Sequence, residues 1–122
     1  MSFLTYLNSL DGPSWLDNIS VINTKLRTAP EVSFKFYPAG KVVHGKPRIV
    51  DKKLSEVVFF WQEKCKRITL VDYIKEKYGY TIRNPHHNGI VIDGKNGKIF
   101  PPELLYFHTL DGYKAFNYAD LE

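Results

Sequence analysis

Leu70, Tyr73, Ile74, Lys77 and Tyr78 recur at helical spacing and set one lysine and two tyrosine hydroxyls among apolar side chains. At about 100° per residue they fall within roughly 140° of arc, and Asp72, Lys75 and Glu76 project from the other side. A lysine inside an apolar arc is costly to bury unless an anion or a carboxylate meets it. Tyrosine hydroxyls beside it complete a donor set suited to a phosphate group. The same spacing also fits a helix whose tyrosines pack in a core while its lysine reaches along them to water.

The elements around this helix must position it. Thr69 is placed to cap it and Gly79 to end it. Upstream, Val57-Val58-Phe59-Phe60-Trp61 is a β-favouring run. Gln62-Glu63-Lys64 turns that run back into Cys65 to Ile68 as a hairpin. Downstream, Tyr80 to Arg83, Ile90 to Asp93 and Lys98 to Phe100 read as strands. Gly94-Lys95-Asn96-Gly97-Lys98 lacks a phosphate-loop pattern and reads as the turn between the last two.

Toward the N-terminus, Phe3 to Leu10 is predicted as a short helix. Asp11-Gly12-Pro13 turns the chain, and Ser14 caps a second helix through about Ile22. Glu31 to Tyr37 alternates as a strand, with Val32, Phe34 and Phe36 on one face. Pro38-Ala39-Gly40 ends it. Lys41 to His44 and Arg48 to Val50 are short strand candidates around Gly45-Lys46-Pro47. The aromatic tail from Tyr106 to Tyr118 is a candidate for one more strand. Many short strands with two or three short helices predict a mainly β, α+β fold: a small β-barrel with α decoration.

The whole chain bounds the function classes. Its 122 residues predict one domain, able to bury roughly two-thirds of its unfolded surface. Apolar content of 43% and aromatic content of 15% argue for a folded globule. No apolar run has the length of a membrane span, and the N-terminal residues lack the basic segment of a secretory signal. A single cysteine, Cys65, fits a reducing compartment. An intracellular location, cytoplasmic or nuclear, is expected.

The net charge of +4 favours polyanion partners. Lys41, Lys46, Arg48, Lys52 and Lys53 form one basic group, and Lys64, Lys66 and Arg67 another. Both lie beside aromatic segments, as in single-strand binders that join stacking to charge. His86-His87 invites a metal reading, but adjacent side chains in a turn rarely converge on one ion, and Cys65 and His108 lack ligand spacing to them. No nucleophilic triad or acidic nuclease cluster has a local signature. Neither metal nor cofactor is expected, and the chain is not expected to be an enzyme.

Three further segments point to a family. Tyr73-Ile74-Lys75-Glu76-Lys77-Tyr78, Thr81-Ile82-Arg83-Asn84-Pro85 with Ile90-Val91-Ile92, and Lys98-Ile99-Phe100-Pro101-Pro102-Glu103-Leu104 resemble, in order, the PAZ domain of Argonaute, Piwi and Dicer proteins. Asn84-Pro85-His86 is similar to the Argonaute type. The resemblance implies one PAZ-like domain over 1–122: an OB-like barrel with a hairpin-plus-helix appendage at about 55–79, and a ligand cleft between them.

It also implies function. The cleft would bind the 3′ end of single-stranded or short-overhang small RNA within the RNA-silencing machinery, with Tyr73, Lys77 and Tyr78 on the terminal phosphate. Phe59 would stack on the last base, or Phe60 or Trp61 if the register slips. Phe36 and the segment carrying Lys46 and Arg48 correspond to the family's second phosphate-facing edge. Here the chain departs from the pattern, because Pro47 stands where a tyrosine is expected, and the hairpin is shorter than usual. If the chain is an excised domain, the rest of a larger Argonaute-like protein is its partner. Two other readings remain open at this stage: a PAZ-like scaffold for protein contacts that has lost RNA binding, and a single-strand binder without end preference.

Overall fold

The computed structural model describes residues 1–93 and 98–117. Most of the turn predicted at Gly94 to Lys98, and Tyr118 at the end of the tail, lie outside the described residues. The elements in chain order are α1 (Phe3–Asp11), α2 (Ile19–Thr28), β1 (Val32–Phe36), β2 (Lys41–Gly45), β3 (Pro47–Lys53), β4 (Val58–Trp61), β5 (Lys66–Thr69), α3 (Leu70–Tyr78), β6 (Asn88–Ile92), β7 (Leu105–Phe107) and α4 (Leu110–Asn117).

Among the described residues the strands form three antiparallel sheets: β2-β1-β7, β3-β6 and β4-β5. The fold is mainly β with helices, as expected, but the ladders do not close into a continuous barrel. One reason lies at the outer edge of β3. The Asn23 side chain of α2 donates to the Ile49 carbonyl at 2.8 Å and accepts from the Ile49 amide at 2.9 Å. Those backbone groups are thereby satisfied by a side chain instead of a further strand. Gly45 lets the chain pass from the first sheet to the second. Its φ is +152°, and a Cβ there would lie 2.7 Å from the Asp93 carbonyl oxygen.

Two hydrophobic clusters result. The larger joins α1, α2 and the main sheets through fully buried residues such as Phe3, Leu7, Trp15, Phe34, Ile49, Ile90 and Leu105. The smaller comprises Leu54, Val57, Leu70, Ile74, Ile82 and Leu104, and seats the β4-β5-α3 unit. Main-chain bonds moor the same unit: the Leu54 amide donates to His87 O and the Ser55 amide to Pro85 O, both at 2.9 Å.

Four sequence expectations need correction. The second helix does not run from Ser14; a 3-10 turn covers Gly12–Asp17 and α2 begins at Ile19. Trp15 is fully buried in the main core, and Asn18 N closes the turn onto Trp15 O at 3.1 Å. Tyr80 to Arg83 is no strand, because a buried carboxylate takes the amide at its end and the hydroxyl at its start. Glu103 accepts from Arg83 N at 3.1 Å, Asn84 N at 3.0 Å and the Tyr80 hydroxyl at 2.9 Å. Lys98 to Phe100 contributes only an isolated bridge between Phe100 and Ile90. The tail gives the short strand β7 and then a helix, because the Thr109 hydroxyl accepts from Gly112 N at 2.9 Å and starts a turn there.

Candidate functional site

Helix α3 forms as its sequence indicates. The Thr69 hydroxyl accepts from Asp72 N at 3.1 Å, and Gly79 ends the helix at φ +71° with its amide on Lys75 O. Leu70 and Ile74 are buried in the smaller cluster. Tyr73 and Tyr78 follow on the flank of that face and are half-buried. The hairpin β4-β5 lies beside them, its turn tightened by Cys65 in the left-handed region at φ 50°. Because side chains alternate across a strand, Phe59 and Trp61 share the face toward α3. Both rings meet Tyr73 edge-on, each with centroids 5.0 Å apart.

Lys77 reaches back over both tyrosines. Its Nζ lies 5.4 Å from the Tyr73 ring centroid and 5.6 Å from that of Tyr78. Hydrogen bonding to the Tyr73 hydroxyl is the main cause holding the ammonium in its charged form above the ordinary lysine range. Burial pushes the Tyr78 hydroxyl up, with the neighbouring Tyr73 adding to it. At neutral pH the cluster therefore holds a charged ammonium and a neutral Tyr78 hydroxyl, beside the hydroxyl of Tyr73. The nearest carboxylate to Lys77 is Glu63 of the hairpin turn, at 3.9 Å and largely in solvent, where an ion pair contributes little.

This cluster opens onto a cleft of about 540 Å³ between the hairpin–helix unit and the main sheets. Phe36, Val43, Phe59, Tyr73, Lys77, Tyr78, Ile99 and Phe100 are among its walls, with Lys41, Lys52 and Lys98 around them. Among the described residues four lysines line the cleft and no Asp, Glu or His does. A separate, exposed groove of about 680 Å³ on the outer side of the unit mixes Lys66, Arg67 and Lys75 with Asp72 and Glu76. The Lys66–Glu76 ion pair at 3.0 Å spans it and leaves it electrically mixed.

Of the residues singled out in sequence, Phe36, Phe59, Tyr73, Lys77 and Tyr78 are brought together on the cleft. Phe60 is not. Alternation turns it to the opposite face of β4, where it is 54% exposed beside Val58 at 43%. Trp61 is buried beneath Tyr73, with its indole nitrogen unpartnered. Lys46 and Arg48 also lie away from the cleft. The Lys46 ammonium donates to Arg27 O at 2.9 Å at the end of α2, and Arg48 faces Asp93 at 3.9 Å. Pro47 is buried opposite Ile92.

In their place stand Lys41, Lys52 and Lys98. Lys41 is set across from Phe36 by the β1-β2 register. That register, fixed only by strand pairing, is the signal needed to find it. Among the described residues no group of three or more His, Cys, Asp or Glu could hold a metal ion. No helix among them is long and apolar enough to cross a membrane.

A mainly β fold bearing a hairpin–helix unit over a cationic, aromatic cleft defines a class. The family model for the PAZ domain matches residues 48–118. The chain belongs to the PAZ domain family. Among solved structures it is similar to the PAZ domain of Drosophila Argonaute 2, described for 3′-end recognition of nucleic acids. The TM-score is 0.64 over 92% of this chain and 96% of that one, at 13% identity. No curated protein sequence matches.

Proposed function

We propose that the cleft binds the 3′ end of single-stranded or short-overhang RNA, without catalysis, as a small-RNA end anchor. The observation that carries this reading is the convergence of Lys77 with the Tyr73 and Tyr78 rings beside Phe59 in a cleft lined, among the described residues, by lysines and no acid. The last base stacks on Phe59, and the terminal backbone phosphate receives charge-assisted bonds from Lys77 and the two hydroxyls. Base edges go largely unread, because stacking and phosphate contacts carry little sequence information. The recognition described for the Argonaute 2 domain of the same fold supports the assignment. In a larger Argonaute-like protein this domain would hold the tail of a guide.

The test is fluorescence anisotropy with one RNA sequence in linear and circular form. The linear oligomer is expected to bind at least about tenfold tighter, and Lys77→Ala with Tyr78→Phe to remove that advantage. Equal affinity for the circle would leave a strand binder without end preference. No binding of either form would turn attention to the exposed Val58 and Phe60 face as a protein contact.

A further inference from the structure

We infer that the cleft prefers an RNA whose 3′ end carries a phosphate over one ending in a free hydroxyl. The inference rests on the end-binding reading above and deepens it. Its basis is a mismatch of charge within a small space. A cleft of about 540 Å³ falls inside the range of roughly 300–1,000 Å³ that encloses a single small ligand. It therefore suits one terminal nucleotide.

Within that space Lys77, over the Tyr73 and Tyr78 rings, is the ammonium that the proposed function assigns to one backbone phosphodiester. Lys41, Lys52 and Lys98 line the same cleft. None of the three forms an ion pair among the described residues, in contrast to Lys66 with Glu76 and Arg48 with Asp93. The nearest carboxylate on the rim, Glu63, faces Lys77. A single phosphodiester leaves these three ammoniums unmatched. A terminal phosphomonoester adds about 1.5–2 negative charges at neutral pH and three acceptor oxygens. Lysines suit it as mobile point charges, with no requirement for a fixed fork geometry.

The experiment compares four forms of one short RNA with the intact chain: circular, linear with a 3′-hydroxyl, linear with a 3′-phosphate, and linear with a 3′-methyl phosphate diester. The 3′-phosphate form is expected to bind about tenfold tighter than the hydroxyl form at low salt, with the diester between them, and added salt to narrow the gap. Lys52→Gln with Lys98→Gln, both at exposed positions, should abolish most of that gap while the preference for linear over circular RNA persists. A 3′-phosphate end that binds no better than the hydroxyl end, with the circle still weaker, overturns the charge preference and leaves the end pocket intact. A circle that binds as well as every linear form overturns both readings. A gap that survives the double lysine substitution also overturns the assignment to these lysines.

Discussion

The two hydrophobic clusters are made of similar side chains and are closed by different means. The larger one has its centre fully covered, with Phe3, Leu7, Trp15 and Phe34 all at 0% exposure, and reaches the cleft only at its margin through Phe100. The smaller one is enclosed on one side by Glu103 and its loop and on the other by a layer of half-buried aromatics, Phe36, Phe59, Tyr73 and Tyr78, that face the cleft. The first cluster specifies the fold. The second fixes where the ligand-facing side chains stand, so its integrity and the site's geometry are one property.

That contrast is sharpest under truncation. Phe34→Ala removes a ring from the larger core and should cost about 3–5 kcal/mol, enough to unfold a marginal domain as a whole. Ile74→Ala, in the smaller cluster, should cost about 2–5 kcal/mol. The two differ in what fails first. Hydrogen exchange on the Ile74 variant should show early loss of protection in β4, β5 and α3, with β1 and β7 still protected. Uniform loss across the chain would mean that the two clusters behave as one.

Glu103 tests the same boundary through hydrogen bonds. Its carboxylate accepts from the Arg83 and Asn84 amides and from the Tyr80 hydroxyl, and it is only 9% exposed. Glu103→Gln places an NH₂ group against one of those donors, so at least one buried bond is lost. A cost of about 1–3 kcal/mol is expected in chemical denaturation, with RNA affinity falling because the loop that seats α3 loosens. Unchanged stability would show that water replaces the lost acceptor.

The hairpin carries the comparison into binding. Phe59 and Phe60 are adjacent in sequence and opposite in space, one against Tyr73 on the cleft and the other 54% exposed. Phe59→Ala should weaken RNA binding by about 1–3 kcal/mol, as expected for a lost stacking platform. Phe60→Ala should change stability by no more than about 0.5 kcal/mol and leave RNA affinity alone. A reversed order would place the bound strand on the outer face of the hairpin.

This pair also shows what was legible in the sequence. Helix α3, its caps and the grouping of Tyr73, Lys77 and Tyr78 follow from local spacing, and the structure reproduces them because they depend on residues a few positions apart. The β4-β5 hairpin was equally local. The cationic edge was not. The family resemblance points to Lys46 and Arg48, whereas Lys41 is set on the cleft across from Phe36 by the register of the β1-β2 pair, and Lys52 and Lys98 meet it there only in the tertiary fold. Tyr80 to Arg83 has strand composition, yet it is held as a loop by a carboxylate twenty residues later in the chain. Local chemistry was readable; the contacts that decide between alternatives were long-range.

His87 joins the two clusters, and there the smallest effect is expected. Its ring meets Trp15 of the larger core edge-on at 5.2 Å, and its carbonyl accepts from Leu54 of the smaller. Its Nδ1 is buried without a partner. Burial, with the nearby His86 adding to it and the Glu103 carboxylate opposing, holds the imidazole below its ordinary 6.5. The native state therefore keeps a neutral ring where the unfolded chain would already bind a proton. Stability is complete above the unfolded value of 6.5 and declines as pH falls from there to the lowered folded value, below which this contribution is flat. A denaturant midpoint measured near pH 7.5 and again near pH 5.5 should drop on acidification, and by less in His87→Gln. An equal drop in both proteins would assign the acid sensitivity to other groups and leave the joint between the clusters indifferent to protonation.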